Sequence, residues 1–321
     1  MVTVSTNQGS GTPASEHVAL HCTSDAGGCA QGFIQSVPPA QQENSSLGIS
    51  ASYCCGMKVA PWLKDDGTYR CFYCEVGKTG AGKQRDADEA DKQLKESHLA
   101  LWSRPLPNGD SWAFDSPPGW YMRSVVQLPT GPAEWCAGSD NFATTHTNAL
   151  PELASEIPGY ADGHLHQFCT IGGYIVFPAA LGDKRPTGQP ARRWTLNQAK
   201  GCDGHVADRM DLTLESIRLY YAGVTSREAN ALGDVVDAYG WFFDPFGKGA
   251  EGFQAYVDYF FLTPFVEDGR VVPLYRGSLD FGGALPRDPS GYYPYIESQR
   301  EAVQNRNALI TQWWEQDSVR P

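Results

Sequence analysis

The segment TIGGYIVFP, residues 170–178, leads through WTLNQAKG (194–201) into HVADRMDLTLESIRLYYAG (205–223), and these three runs decide the fold. The first run combines two glycines, β-branched and aromatic side chains and a closing proline, which is typical of a β-strand. Its apolar character is unbroken. We therefore expect this strand to occupy a central position in a sheet.

The third run has the period of an amphipathic helix. Its apolar residues recur every three or four positions: Val206, Met210, Leu214, Ile217 and Tyr221. This spacing places one apolar stripe along a helix over residues 206–221. Gly223 then suits the C-terminal cap of that helix.

Other segments before the strand of residues 170–178 alternate between strand and helix patterns. TYRCFYCEV (68–76) is predicted to form a short strand, DADEADKQLKESHLALW (86–102) a helix, and WYMRSVVQL (120–128) a half-buried strand. The sequence therefore predicts an α+β fold with one mixed or antiparallel sheet.

The C-terminal half is predicted to be helical. One helix should begin at Ser226 and end before Pro245, and another should contain residues 253–260 and end before Pro264. A last helix is expected over residues 295–314.

The chain is expected to divide near residue 64. Residues 1–64 are rich in Ser, Gly, Gln, Ala and Pro and show no helical or strand period. We interpret them as a loosely ordered, cysteine-containing extension. Residues 65–321 are then a single α+β domain, which is long enough to bury a core of its own.

Charge and hydropathy exclude some partners. The formal net charge of −12 makes non-specific nucleic-acid binding unlikely, because phosphate binding relies on clustered Lys and Arg. No apolar run reaches the roughly 20 residues that a membrane-spanning helix needs. The first residues lack a basic start and an apolar core, so we expect a cytoplasmic protein whose partner is an unknown ligand or protein.

Five segments together carry a family resemblance. They are GKQRDADEADKQLKESHLALWSRPLPNG (82–109), TIGGYIVFP (170–178), WTLNQAKG (194–201), ADRMDLTLESIRLYYAG (207–223) and GFQAYVDYFFLTPFV (252–266). With these runs in this order, the chain resembles a bacterial family known only as a domain of unknown function. The resemblance supports a domain that starts near residue 65, and it implies no activity.

The helix over 206–221 also carries a charged stripe opposite its apolar one. Its members are Asp208, Asp211, Glu215 and Arg218. Leu212 and Leu219 flank the stripe, so part of it should be covered. Covered carboxylates need a cation, an arginine partner or raised pKa values, which are also the ingredients of a catalytic site.

We therefore predict that Asp208, Asp211 and Glu215 are catalytic carboxylates that can hold Mg²⁺ or Mn²⁺. The structural alternative is that Arg209, Arg218 or a distant arginine neutralises them.

The segments that match the family suggest further members of this site. Arg123 is a candidate catalytic residue, and Ser124, Asn197, Lys200 and Arg218 are candidate substrate-binding residues. Together they would complete a polar pocket against the helix.

The cysteines suggest a separate metal site. Cys71 and Cys74 have the spacing of a zinc knuckle, and Cys54 and Cys55 lie upstream as two further candidate Zn²⁺ ligands. Adjacent cysteines make poor twin ligands, because successive side chains diverge. Free thiols are therefore the alternative.

Two classes of function follow. The first is an enzyme that acts on a nucleotide or nucleic acid at the acidic site, in a concave pocket. The second is a non-catalytic protein-binding or structural module, with or without a zinc-stabilised N-terminal element. In that module an apolar patch would face the partner, and its candidate residues are Trp241, Phe242, Phe243, Tyr256, Tyr259, Phe260 and Phe261.

Overall fold

The computed structural model divides the chain into two units, residues 1–48 and 49–321. The first unit lies outside the residues that the structure describes. Those residues are 53–54, 57–76, 87, 91–114, 124–128, 131–141, 165–180, 209–226, 228–275, 277, 279 and 289–318.

Helices and short strands alternate along the described ranges. The strands are β1 Tyr53–Cys54, β2 Met57–Lys58, β3 Ala113–Phe114, β4 Ser124–Leu128, β5 Gly131–Asn141, β6 Tyr174–Ala180, β7 Val266–Glu267 and β8 Arg270–Val271. The α-helices are α1 Phe72–Glu75, α2 Lys92–Trp102, α3 Leu165–Phe168, α4 Met210–Tyr221, α5 Gly233–Ala238, α6 Gly240–Phe243, α7 Gly249–Tyr259 and α8 Pro289–Ser318. Short 3₁₀ turns occupy Ile171–Gly173, Asp244–Phe246 and Thr263–Phe265. The α+β prediction is confirmed.

The main sheet has four antiparallel strands in the order β3-β4-β5-β6. Strand β6 pairs along its whole length with β5, from Tyr174 opposite Asn141 to Ala180 opposite Trp135. Among the described strands β6 lies at the end of this order, so the prediction of a central position is wrong. Pro178 fits an end position, because it has no N–H to donate to a second neighbour.

The strand predicted over residues 68–76 is also wrong at its centre, where the chain forms α1. The Cys71 carbonyl accepts hydrogen bonds from the backbone N–H groups of Cys74 at 3.0 Å and Glu75 at 3.2 Å. Phe72 is buried there against the ring of Tyr174, 5.7 Å away between centroids. A single turn with one anchored side chain is too short for hydrophobic periodicity to reveal.

The helix predicted from Ser226 is likewise two short helices, α5 and α6. Tyr239 separates them with φ −108° and ψ 28°, outside the helical region. The next predicted helix is confirmed as α7, and the last is α8, which is longer than predicted.

The aromatic side chains of the C-terminal half pack inside. Phe242, Tyr256 and Phe260 are fully buried, and Phe260 lies 4.8 Å from the rings of both Trp102 and Tyr256. Six of the seven residues of the predicted partner-facing patch are therefore buried, and the seventh, Trp241, is partly buried against the same core.

The packed region also begins before the boundary that the sequence suggested. Trp62, which we assigned to the extension, is fully buried. Its indole N–H donates to Thr311 at 3.0 Å, and its ring meets Trp314 edge-on at 5.2 Å. Residues before 65 therefore contribute to the core that α8 closes.

A pair of polar residues on α8 holds the entry to β6. The Arg306 guanidinium donates to the carbonyl oxygens of Gly172 at 2.8 Å and Tyr174 at 2.7 Å. Asn307 accepts from the Gly172 N–H at 2.6 Å and donates to the Thr170 hydroxyl at 2.8 Å. The backbone of this turn thus touches α8 directly, which explains why glycine stands at residue 172.

Replacing Gly172 with alanine tests this close approach. The added methyl carbon would lie 2.2 Å from the Val303 carbonyl oxygen, a backbone atom that cannot swing aside. We expect Gly172→Ala to lower the free energy of unfolding by about 2 kcal/mol, measured by urea denaturation.

Gly240→Ala is the matched control, because the nearest atom there is the Tyr220 hydroxyl, 3.3 Å away at the end of a side chain. A Gly172→Ala protein as stable as this control would contradict the close contact with α8.

Candidate functional site

The structure describes part of the predicted acidic site. Asp211, Glu215 and Arg218 lie on α4, and Ser124 begins β4, where only its backbone is described. The remaining predicted members lie outside the described residues: Asp208, Arg123, Asn197 and Lys200.

Asp211 is held in a buried ion pair. Arg209, directly before α4, donates Nε to Oδ1 at 2.7 Å and Nη2 to Oδ2 at 2.5 Å. The Leu274 backbone N–H donates to Oδ2 at 2.9 Å. Both charged side chains are almost completely buried, with 1% of Arg209 and 0% of Asp211 exposed.

The buried pair keeps the Arg209 guanidinium charged. Burial alone would lower the pKa of Arg209, but the hydrogen bonds that it donates to the Asp211 carboxylate outweigh this effect and raise that pKa above its ordinary value. The rings of Tyr275 and Tyr295 lie 5.9 and 5.6 Å from the guanidinium carbon. Arg209 and Asp211 therefore form a desolvated pair that joins the start of α4 to the backbone at Leu274.

Glu215 has its own arginine one turn further along α4. Arg218 donates Nε to Oε2 at 2.7 Å and Nη2 to Oε1 at 2.6 Å, and these bonds raise the pKa of Arg218. This pair is nearer the surface, with 13% of Glu215 and 32% of Arg218 exposed.

Both described carboxylates are thus neutralised by neighbouring arginines, which is the structural alternative given above. A divalent cation at either one would have to displace an arginine that holds both oxygens. Among the residues that the structure describes, no three His, Cys, Asp or Glu side chains gather as metal ligands. A catalytic role for Asp211 and Glu215 stays a prediction.

The cysteine site is described in part. Cys71 is buried directly before α1, and Cys74 is exposed within that helix. Burial, with a hydrogen bond to Cys74, raises the pKa of Cys71 to about 12, so its thiol is neutral at pH 7. Cys54 lies in β1, but its side chain and all of Cys55 fall outside the described residues. Zinc binding by these four residues therefore stays a prediction.

A cleft of about 560 Å³ lies on another face of the same unit. It is formed where the loop after α2 meets α7 and the end of α8. The residues that line it are Arg104, Pro105, Leu106, Pro107, Ala255, Asp258, Tyr259, Trp313 and Asp317.

The loop after α2 is held tightly. Leu106 N–H donates to the Asp110 carbonyl at 2.7 Å, and Gly109 N–H donates back to the Leu106 carbonyl at 2.9 Å. Gly109 closes the turn with φ +87°, a conformation that favours glycine. The Tyr259 hydroxyl lies 3.2 Å from the Arg104 carbonyl oxygen, which fixes the loop against α7.

Arg104 is surrounded by aromatic rings. Its guanidinium carbon lies 4.3 Å from the ring centres of both Tyr259 and Phe261 and 4.9 Å from that of Trp313. Burial lowers the pKa of Arg104, and the nearby Tyr259 and Asp317 oppose that change. The cation is thus stabilised by ring faces more than by an ion pair.

The hydrogen-bonding edge of Arg104 differs from those of Arg209 and Arg218. In both of those, Nε and Nη2 together grip one carboxylate. In Arg104 the same two nitrogens are buried and form no hydrogen bond of good geometry with the described part of the chain, although the Tyr259 hydroxyl is near enough to raise the pKa of Arg104. Buried N–H groups are normally paired, so this edge is suited to an acceptor from outside the described residues.

Sequence reasoning missed this cleft. Arg104 falls within one of the runs that match the family, and Asp258 falls within another. Trp313 and Asp317 carry no motif. An arginine placed between a helix end and a Pro-Leu-Pro turn was the available signal, but nothing in the sequence links it to the end of α8.

The fold and this cleft define an α+β protein with an arginine-centred cavity between a loop and two helices. The chain belongs to a family of unknown function, DUF6994, whose model matches residues 74–310. The resemblance to a domain of unknown function is thereby confirmed. Neither the curated proteins nor the solved structures contain a match.

A helix that spans a membrane needs about 20 predominantly apolar residues. Within the described part of the chain, no helix is both long and apolar enough to cross a bilayer.

The two ion pairs on α4 predict different costs of neutralisation. Asp211→Asn should lower the free energy of unfolding by about 3–5 kcal/mol, because it leaves the buried Arg209 without its counter-charge. Glu215→Gln should cost about 1 kcal/mol or less, because its pair is partly hydrated. Chemical denaturation of both variants measures the difference.

An Asp211→Asn protein with wild-type stability would contradict the structural role of the buried pair. The predicted catalytic role would then gain support only if a Mn²⁺-dependent change in melting temperature also disappeared in that variant.

Proposed function

We propose that this protein is a non-catalytic binding protein whose site is the cleft at Arg104, and that the site takes an anionic group. The proposal departs from the protein-binding alternative of the sequence analysis in its ligand but shares its non-catalytic character, because Asp211 and Glu215, the two described carboxylates of the enzyme hypothesis, are paired with arginines. An enzyme acting on a nucleotide or nucleic acid remains a separate prediction.

One observation carries the proposal: among the described residues, none accepts a hydrogen bond of good geometry from the Nε–Nη2 edge of Arg104. Both nitrogens are buried, so a small rotation of the Arg104 side chain would first have to turn them toward the cleft. A carboxylate or similar planar anion would then accept two parallel hydrogen bonds from this edge, as Asp211 does from Arg209. Such bonds are strong where water is excluded, and the guanidinium is partly desolvated by the rings around it.

The walls of the cleft suit a ligand with an apolar body. Leu106, Ala255 and the Trp313 ring offer apolar surface beside the guanidinium. The cleft volume of about 560 Å³ lies within the range of small-molecule sites, roughly 300–1,000 Å³. The loop and α7 are tied together by hydrogen bonds, so much of the site is formed before a ligand arrives.

The NMR signals of the arginine side chains can show directly whether an anion binds at Arg104. In protein labelled with ¹⁵N-arginine, we expect titration with 3-phenylpropanoate to shift the Nε–Hε resonance of Arg104 saturably. The resonance of Arg218 should stay in place, because Glu215 already occupies its edge. Heteronuclear NMR measures both signals in one sample.

Arg104→Lys should weaken binding of 3-phenylpropanoate about tenfold, because lysine keeps the charge but loses the paired donors. Arg300→Lys, at a partly exposed arginine that pairs with Glu297, is the matched control. The proposal would be overturned if 3-phenylpropanoate did not shift the Arg104 resonance, or if Arg104→Lys bound it with the same affinity as the wild-type protein.

A further inference from the structure

We propose that the ligand of the Arg104 cleft is a zwitterion of the amino-acid class, with an ammonium and a carboxylate on an apolar or aromatic body. This inference rests on the proposed binding function and specifies its ligand.

The charges that line the cleft carry the argument. Arg104 is its cation, and Asp258 and Asp317 are its two carboxylates, all lining one cavity. Asp258 accepts one hydrogen bond at Oδ1, from Gln254 at 2.9 Å. Among the described residues neither aspartate forms an ion pair, in contrast to Asp211 and Glu215.

A ligand with a single charge would be attracted by some of these charged side chains and repelled by the others. A plain carboxylate that reaches Arg104 also meets the field of two aspartates, which repels it. A plain amine that reaches the aspartates meets the guanidinium. A ligand with both charges complements both sets, and such complementarity determines which partners a charged site accepts.

The apolar lining indicates where the rest of the ligand lies. Pro105, Leu106 and Pro107 form one wall, and the Trp313 ring contributes aromatic surface beside the guanidinium. An aromatic or aliphatic side chain would replace water against these groups. Phenylalanine is therefore a suitable probe of the class.

Three probes that share one phenyl body separate the charges. L-Phenylalanine carries both groups, 3-phenylpropanoate lacks the ammonium, and 2-phenylethylamine lacks the carboxylate. Isothermal titration calorimetry on the full chain should give phenylalanine an affinity about tenfold or more above either of the others, since each added charge-assisted hydrogen bond contributes at that scale.

Paired substitution of the aspartates gives the second arm. In the double variant Asp258→Asn/Asp317→Asn, we expect the affinity for phenylalanine to fall to within about threefold of the affinity for 3-phenylpropanoate. The affinity for 3-phenylpropanoate itself should be at least that of the wild-type protein. Asp65→Asn, at an exposed aspartate outside the cleft, is the control and should change neither affinity. Equal melting temperatures of the variants would show that the fold is intact.

The outcomes distinguish the two proposals. If 3-phenylpropanoate binds as tightly as phenylalanine and its binding needs Arg104, the zwitterion is wrong and the anion-binding cleft stands. If 2-phenylethylamine binds best and is indifferent to Arg104→Lys, both proposals are wrong. If none of the three probes binds or shifts the Arg104 resonance, both are likewise overturned.

Discussion

The buried guanidinium of Arg306 is the contact on which the rest of the structure depends. It donates to the carbonyl oxygens of Gly172 and Tyr174 at the start of β6, and to that of Phe260 just after α7, at 3.1 Å. One side chain on α8 thus fastens the sheet and α7 to the C-terminal helix. Burial lowers the pKa of Arg306 to about 9, so it remains charged at pH 7 and the carbonyl dipoles must stabilise that charge.

Helix α8 carries both Arg306, with these hydrogen bonds, and part of the wall of the cleft. Arg306 lies two turns before Trp313 on α8, and α7 ends at Tyr259, beside Phe260. The hydrogen bond from Arg306 to the Phe260 carbonyl therefore joins α8 to the end of α7, two helices that line the cavity. The four arginines therefore differ in their partners. Arg209 and Arg218 neutralise carboxylates, Arg306 donates to backbone carbonyls, and Arg104 lies among aromatic rings, where we propose that it binds a ligand.

Local patterns in the sequence predicted the helices and the strand whose buried residues follow a regular pattern along the chain. Helices α2, α4 and α7 follow from the spacing of their apolar residues. The strand at Tyr174–Ala180 follows instead from an unbroken apolar run with β-branched and aromatic side chains. The prediction of a central strand was wrong, because a strand covered on both sides reads as apolar whatever its neighbours are. The turn at α1 was missed because its four residues are held by one buried phenylalanine.

The cleft could not be read from the sequence for a related reason. Asp211 and Arg209 are two residues apart, so their pairing was within reach of local reasoning. Arg104 and Trp313 come together only through the packing of α8 on the rest of the core. The role of a charged residue can be inferred only when its contacts are known. Here the contacting rings are far from Arg104 in the sequence, although they are close to it in the fold.

The stability of Arg306→Met tests the central contact most directly, with Arg300→Met on the exposed part of the same helix as the control. Methionine fills similar space but leaves the carbonyl oxygens of Gly172, Tyr174 and Phe260 without donors. The account predicts a loss of about 3 kcal/mol or more in the free energy of unfolding, against less than about 0.5 kcal/mol for the control. An Arg306→Met protein as stable as Arg300→Met in urea denaturation would contradict it.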